Sequence, residues 1–469
     1  MTQRKVHIKS FGCQMNKLDS SLVTAALKDA GFDITDKPTD ADAILINTCS
    51  VRAHAEDRVF SHLGHLKHLK KTRPDTVVAV MGCMAQRLGL QLLAHPAVDI
   101  VAGPAQIPQI PDMLAAALEN RTNRNSIAVT AHIRTTAPPS EAHALDSFEM
   151  EYDSDADYIK SQAFVRVMRG CNNFCTYCIV PYVRGPEVSR RPQEIVEQVK
   201  KLAHSGIKQI TLLGQTVNSY TYPAGDRTYM LADLLEMTAQ IEGVHWIRFI
   251  TSHPVGFDDS TLRAMADIPK VCPYLHIPAQ SGSDTILKSM NRGYSAKQYL
   301  DLLDRARHIV GDIAIAGDFI VGFPGETDED FAATVDLIQK ARYKNIFVFK
   351  YSPRPGTRAD IKLADTIPLE TKQQRNMRLL EIQDAVAAQD NERFIGKTLE
   401  VLVEGTSKKP HLNAAENDNH PQLIARTATD YIVVFNAPES LTGQFTNVTI
   451  TKTSPLTLFA QPAPKQGDY

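Results

Sequence analysis

Three times in the first hundred residues an extended apolar run ends in a cysteine and gives way to a helical pattern. The runs are VHIKSFGC, DAILINTC and DTVVAVMGC, followed by NKLDSSLVTAALKDAG, SVRAHAEDRVFSHLGHL and MAQRLGLQLLAHP. Short continuous apolar runs read as strands buried on both faces, and apolar positions recurring every three or four residues read as amphipathic helices. Strands alternating with helices at this spacing pair in parallel, and their carboxyl ends open on one edge of the sheet. Cys13, Cys49 and Cys83 share that register, each where a helix begins, so their thiols are expected to meet there.

Residues 135–158, TTAPPSEAHALDSFEMEYDSDADY, carry turn residues with little periodicity and read as a linker. Beyond them strand patterns return in AFVRVMRG, QITLLGQ, WIRFITS, YLHIPA, GDFIVGF and NIFVFKYSP, separated by helical segments such as RPQEIVEQVKKLAHSG. Six such units predict a partial (β/α)6 barrel over 159–392, with reactive groups at the carboxyl ends of its strands. After a long amphipathic helix near 366–394, short alternating strands (TLEVLVEG, QLIART, YIVVF, FTNVTITK) predict a small all-β barrel over 393–461, ahead of a tail at 462–469. The fold class is therefore α/β: a doubly wound parallel domain over 1–134, a partial barrel, and a small all-β module.

Composition adds little beyond an ordinary globular chain: 469 residues, 43% hydrophobic, 22% charged, formal net charge -2. The first residues, MTQRKVHIKSFG, have no apolar core and no cleavage site, and no later run has the length of a membrane span, so a cytoplasmic protein is expected. A near-neutral whole leaves room for a local basic face. RVFSHLGHLKHLKKTRP (58–74) carries Arg58, Lys67, Lys70, Lys71 and Arg73 and reads either as a phosphate-contacting surface or as a solvated amphipathic helix. Seven cysteines are too few and too scattered for a secreted disulfide framework.

Cys171, Cys175 and Cys178, in CNNFCTYC, follow the first strand of the central domain with spacing C-x3-C-x2-C. Structural zinc takes four ligands, commonly as paired C-x2-C knuckles, and no second pair follows nearby. Three thiolates can instead hold three irons of a 4Fe-4S cluster and leave the fourth iron free to chelate a substrate or cofactor. The trio Cys13, Cys49 and Cys83 again counts three, at helix starts that favour thiolate and anionic clusters. Cys272 reads as a buried apolar side chain.

The C-x3-C-x-Tyr-C string resembles the signature of the radical S-adenosylmethionine superfamily. FGCQMNKLDS, NTCSVRAHAEDRVFSHLG, GCNNFCTYCIVPYVRGPEVSR, LLGQTVNSY, HIPAQSGSDTILKSMNRGY, DFIVGFPGETDEDF and YSPRPGT together resemble its methylthiotransferase family across nearly the whole chain. The resemblance implies an amino-terminal methylthiotransferase domain, a radical S-adenosylmethionine core and a carboxyl-terminal TRAM module that binds RNA. It implies two 4Fe-4S clusters, each with three cysteine ligands and one open iron: Cys171, Cys175 and Cys178 for the radical-generating cluster, and Cys13, Cys49 and Cys83 for an auxiliary cluster that carries sulfur. Tyr177, Gln215, Ser252, Gln280 and the strand-loop from Asp318 to Glu326 would line the S-adenosylmethionine pocket. Tyr177 also reads as a core aromatic, and GFPGE as an ordinary strand-to-helix turn.

The strings most resemble the branch that adds a methylthio group to C2 of N(6)-dimethylallyladenosine at position 37 of tRNA, beside the anticodon. Two S-adenosylmethionine molecules per turnover would supply a methyl group and a 5′-deoxyadenosyl radical. The implied partners are the tRNA anticodon stem-loop and proteins that donate sulfur and electrons, with no membrane, and the chain is expected to be a monomer. Arg184, Arg190 and Arg191 are candidates for phosphate or a cofactor carboxylate; Lys397, Lys408, Lys409, Arg426 and Tyr431 are candidates for RNA. Other readings are a sister methylthiotransferase acting on threonylcarbamoyl-adenosine in tRNA or on a ribosomal-protein aspartate, and a non-catalytic RNA-binding metalloprotein.

Overall fold

A computed structural model describes residues 3–50, 53–120, 124–130, 139–150, 161–408 and 420–463. The amino-terminal strands are β1 (Lys5–Ser10), β2 (Asp33–Ile34), β3 (Ala43–Thr48), β4 (Val77–Gly82), β5 (Ile100–Ala102) and β6 (Ser126–Ala128). They pair in parallel in the order β2-β1-β3-β4-β5-β6. The three runs read from the sequence, β1, β3 and β4, lie side by side; β2, β5 and β6 are too short for periodicity to reveal.

The helices of this domain are α1 (Gln14–Asp29), α2 (Ala53–Thr72), α3 (Cys83–Leu93) and α4 (Ile110–Glu119). Every residue of β3 and β4 is buried, and alternate side chains serve opposite faces. Ala43 and Leu45 pack with Leu18 and Leu22 of α1 and Leu114 of α4, whereas Ile44 and Ile46 pack with Val59 and Leu63 of α2 and Met84 of α3. Each of these Leu, Ile, Val and Met side chains contributes about 1.5–3 kcal/mol when fully buried, and covering both faces makes the sheet doubly wound. The order reverses between β1 and β3, the place where open α/β sheets bind ligands. The basic segment 58–74 is an amphipathic helix in the main: Val59, Leu63 and Leu66 face the core and Lys70 pairs with Asp99.

The span read as a linker is not featureless. Within it, α5 (Pro139–Met150) places Leu145 and Phe148 in the core and buries Glu149 between Arg166 and Arg190. Leu145, Phe148 and Glu149 stand at i, i+3 and i+4, a helical stripe that the flanking proline and acidic residues mask in sequence.

The central domain comprises β7 (Gln162–Arg166), an antiparallel pair β8 (Met168–Arg169) and β9 (Val188–Ser189), β10 (Gln209–Leu213), a hairpin β11 (Thr221–Ala224) and β12 (Arg227–Met230), β13 (Trp246–Ile250), β14 (Tyr274–His276), β15 (Ala314–Val321) and β16 (Asn345–Lys350). All six expected barrel strands form. They are parallel in two ladders, β7-β10-β13 and β14-β15-β16, with a bridge from Ile247 to Val271 near the break, so the barrel is an open arc. The helices are α6 (Val180–Val183), α7 (Pro192–His204), α8 (Leu231–Ala239), α9 (Asp259–Asp267), α10 (Asp284–Ser289), α11 (Ala296–Val310), α12 (Asp328–Ala341), α13 (Arg358–Lys362) and α14 (Leu369–Asn391). Of these, α7, α8, α9, α11, α12 and α14 cover the outer face, where Val165, Ile210, Leu212, Ile247, Leu275 and Phe319 meet them.

Five strands, β17 (Thr398–Thr406), β18 (Gln422–Thr427), β19 (Ile432–Asn436), β20 (Phe445–Thr453) and β21 (Thr457–Pro462), close a small barrel in the order β17-β18-β19-β21-β20. It packs against Trp246, Tyr274 and Ala314, residues near the amino ends of the central strands. Asp430 locks this contact by accepting from Arg248 at 2.7 Å, Lys344 at 2.9 Å and Arg426 at 3.1 Å. Burial alone would raise the Asp430 carboxyl, but Lys344, Arg248 and Arg426 hold it far below the usual carboxylate range. Among the described residues, no helix is long and apolar enough to cross a membrane.

Candidate active site

Two cysteines of the first trio follow a glycine that no other residue can replace without strain. Gly12 precedes Cys13 with φ +142°, and Gly82 precedes Cys83 with φ +99°. A Cβ on Gly82 would stand 2.5 Å from the Thr48 carbonyl oxygen, and one on Gly12 would stand 2.7 Å from Cys49 Cβ. These contacts let the ends of β1, β3 and β4 close together. Between them, Asn16 Nδ2 donates to Asn47 Oδ1 at 2.8 Å and to the Thr48 carbonyl at 3.0 Å, while Asn47 Nδ2 donates to the Asn16 carbonyl at 2.7 Å. This buried amide lattice fixes the turn that carries Cys13 and Cys49.

Cys13 caps α1 and Cys83 opens α3, as expected; Cys49 follows β3 directly and lies ahead of α2 rather than at its first turn. A hydrogen bond with Cys49 brings the Cys13 thiol down to about 6; burial opposes the shift and Arg184 assists it. Burial pushes the Cys83 thiol up, against the pull of Arg184. The three sulfurs thus share one electrostatic environment.

The second trio lies on the loop from β8 to α6. Gly170 (φ +76°) starts it, and a Cβ there would lie 1.8 Å from the Pro186 carbonyl oxygen, so the two limbs of the loop touch through backbone alone. Cys171 Sγ lies 3.5 Å from Thr216 Oγ1 and accepts from Asn173 Nδ2 at 3.4 Å. Cys175 Sγ accepts from Arg292 Nη1 at 3.3 Å, and burial, reinforced by Cys175, pushes Cys178 up to about 12. Among the described residues no group of three or more His, Cys, Asp or Glu side chains is set to hold a single metal ion. Within each trio the thiols do act on one another: Cys13 bonds Cys49 and raises the Cys83 thiol, and Cys175 and Cys171 both raise Cys178, the proximity that three ligands of one cluster need.

Four buried side-chain atoms beyond the carboxyl ends of β10, β13 and β14 have no hydrogen-bond partner among the described residues: Gln215 Oε1, Ser252 Oγ, His253 Nε2 and Gln280 Oε1. Buried polar atoms ordinarily have partners, so this group suits a polar ligand such as S-adenosylmethionine. Gln215, Ser252 and Gln280 were expected here; His253 was missed, although it follows Ser252 in TSHP. Gln280 has φ +68°, consistent with a backbone held for position. Tyr177 packs edge-on against Phe323 with ring centroids 6.4 Å apart, the core-aromatic arrangement, and Asp318 accepts from His276 at 3.2 Å. Glu326 does not line the pocket: its side chain is 1% exposed, accepts from the Gly322 amide at 2.7 Å and pairs with Arg375 at 2.6 Å. The sequence suggested a ligand carboxylate; the fold uses it to brace the turn against α14.

Arg190 is corrected as well. It is 1% exposed, with Nη1 bonded to Glu149 at 3.0 Å and to the Arg166 carbonyl at 2.7 Å, where RNA has no access. Arg426 is likewise engaged by Glu404 and Asp430 at the contact between domains, and Tyr431 is core. Lys397 and Lys408 are exposed; Lys409 lies outside the described residues. Arg184 departs furthest from expectation. It leaves α6, whose Val183 packs with Cys83, and its Nε donates to Cys83 Sγ at 3.3 Å while Nη2 pairs with Asp19 at 2.8 Å. Because α6 begins two residues beyond Cys178, one short segment connects the two trios. Arg292 and Arg184 bind thiols through tertiary contacts that spacing cannot show, although both stand inside quoted strings, SMNRGY and YVRGPE.

Residues 165–338 match the Radical SAM superfamily, residues 5–103 match the uncharacterized protein family UPF0004, and residues 392–463 match the TRAM domain. A tRNA-2-methylthio-N(6)-dimethylallyladenosine synthase of Rhodopirellula baltica is 42% identical over 98% of this chain and 95% of its own length. One of Syntrophomonas wolfei is 41% identical over 97% of each. Among solved structures, a radical S-adenosylmethionine methyltransferase, TsrM, from Kitasatospora setae with cobalamin and a 4Fe-4S cluster bound shares the fold, with a TM-score of 0.53 at 14% identity over 77% of this chain and 74% of that one. Identity at this level over nearly the full length places the chain: it belongs to the family of tRNA-2-methylthio-N(6)-dimethylallyladenosine synthases, which are radical S-adenosylmethionine methylthiotransferases.

Proposed function

We propose that the chain adds a methylthio group to C2 of N(6)-dimethylallyladenosine at position 37 of tRNA, using S-adenosylmethionine and two 4Fe-4S clusters. The observation that carries this reading is the joining of two three-cysteine sites, each on the carboxyl rim of its own parallel sheet, by the single segment from Cys178 to Arg184. When bound, the clusters and S-adenosylmethionine would supply a radical able to abstract hydrogen from an unactivated C–H bond and a site from which sulfur is delivered.

The chain's own residues do the placing. Cys171, Cys175 and Cys178 offer three thiolates and no fourth, and Arg292 offsets their charge. Gln215, Ser252, His253 and Gln280 supply polar atoms for the cofactor's polar groups. Cys13, Cys49 and Cys83 offer a second set of three, steadied by the Asn16–Asn47 lattice. The target base must leave the anticodon stack to reach these rims, as single-stranded loops permit. Lys397 and Lys408, exposed on the TRAM module, would meet tRNA phosphates. Sulfur and electrons come from partner proteins, the chain acts as a monomer, and its tRNA substrate puts it in the cytoplasm.

Nucleoside mass spectrometry tests the assignment. tRNA from cells lacking this activity, incubated anaerobically with the reconstituted protein, reductant, a sulfide source and S-adenosylmethionine, should gain methylthio on the dimethylallyl nucleoside. Gain on threonylcarbamoyl-adenosine instead, or none, would overturn it.

A further inference from the structure

Each trio has one buried arginine donating to one of its sulfurs: Arg292 to Cys175 and Arg184 to Cys83, both at 3.3 Å. Arg292 belongs to the same domain as its sulfur. Arg184 does not, because it springs from the end of α6 in the central domain and crosses to a cysteine of the amino-terminal sheet. Its side chain is 5% exposed, and Asp19 holds the far edge of the guanidinium at 2.8 Å. Asp19 is itself fixed by Arg166 at 3.1 Å, so the donor cannot swing away from the sulfur.

We propose that Arg184 is a positioning residue that sets the reduction potential of the cluster held by Cys13, Cys49 and Cys83; this rests on the two-cluster reading above. Reduction adds one electron, and with it one negative charge, to that cluster. A hydrogen bond to a ligand sulfur and a fixed cation beside it both favour the more negative state, and potentials of such clusters follow sulfur hydrogen bonds, net charge and solvent exposure. Burial strengthens the effect, since a charge pair interacts more strongly away from water. Arg184 therefore keeps the auxiliary cluster easier to reduce than its three thiolates alone would. Because its backbone continues from the loop of Cys171, Cys175 and Cys178, the control originates beside the other site.

The test uses full-length protein carrying Cys171→Ala, Cys175→Ala and Cys178→Ala, so that one cluster remains, reconstituted anaerobically and titrated with dithionite under electron paramagnetic resonance. The parent triple variant must first show a reducible cluster, and failure there would count against the two-cluster reading rather than against Arg184. With that signal in hand, Arg184→Gln should shift the midpoint to more negative potential with iron retained. Arg184→Lys, which keeps the charge and loses the fork, should fall between the two. An unchanged midpoint in Arg184→Gln at full iron would overturn the proposal. So would loss of cluster iron from Arg184→Lys, which would make Arg184 a clamp between domains instead.

Discussion

Gly82→Ala puts one methyl group between the ends of two neighbouring strands. Gly82 is paired with Thr48 at the last rung of the β3–β4 ladder, immediately before Cys83 and Cys49. The new Cβ would lie 2.5 Å from the Thr48 carbonyl oxygen and 2.7 Å from Asn47 Oδ1. The carbonyl is backbone and cannot rotate aside, and Thr48 Oγ1 is already tied to the Met81 carbonyl at 2.6 Å. Holding a non-glycine residue at positive φ costs about 1–3 kcal/mol, and forcing a methyl into a packed site costs about as much again. At about 1.4 kcal/mol per tenfold, a total of about 2–6 kcal/mol lowers the population of the closed trio by about thirtyfold to about twenty-thousandfold. The strain is released by parting that rung, which carries Cys83 away from Cys49. After anaerobic reconstitution, iron should fall from about eight to about four atoms per chain, with S-adenosylmethionine cleavage retained, methylthio product lost and far-ultraviolet circular dichroism unchanged. Gly64→Ala, whose added Cβ meets nothing within 4 Å, is the matched control and should behave as wild type. Full iron and normal product in Gly82→Ala would refute the reasoning.

Three further outcomes follow from the same geometry. Arg292→Gln removes the donor to Cys175 and to the Pro278 carbonyl; reductive cleavage of S-adenosylmethionine, measured as methionine released, should fall by about 10–100-fold, the usual range for groups that orient metal ligands. Glu149→Ala leaves Arg166 and Arg190 buried without their shared carboxylate; thermal or denaturant unfolding should show a loss of about 3–5 kcal/mol, and an unchanged midpoint would contradict the bridging role of α5. Burial, assisted by Arg292, holds His253 at about 3, and its Nδ1 accepts from the Val255 amide at 3.1 Å, so the ring is neutral in the fold. Its contribution is therefore complete above its ordinary pKa near 6.5 and is lost as pH falls toward 3, by up to about 1.4 kcal/mol per pH unit. The drop in melting temperature between pH 7 and pH 5 should be smaller in His253→Asn than in wild type.

Much of the site was legible because covalent order carried it. Cys13, Cys49 and Cys83 each end an apolar run, and the strand pattern alone put them on one rim. The six central strands were readable for the same reason: each is an uninterrupted apolar stretch between turn signals. Short pieces such as β2 and β5 escaped because two or three residues show no period. Charged residues were the least legible. Arg184, Arg190 and Glu326 look like ligand groups in sequence, yet the fold closes Arg190 and Glu326 into buried pairs and turns Arg184 toward a thiol; which of these a charge does depends on its tertiary neighbours. The paired glycines offered a signal that went unused, since Gly12, Gly82 and Gly170 each stand directly before a cysteine where positive φ and absent side-chain space demand glycine.

The central claim is that two separate cysteine trios each hold a cluster. It is met most directly by counting iron in four anaerobically reconstituted proteins: wild type, Cys13/Cys49/Cys83→Ala, Cys171/Cys175/Cys178→Ala, and all six combined. The expected result is about eight irons per chain in wild type, about four in either triple variant and none when all six are gone. Four irons in wild type that vanish with one trio and are untouched by removal of the other would contradict it.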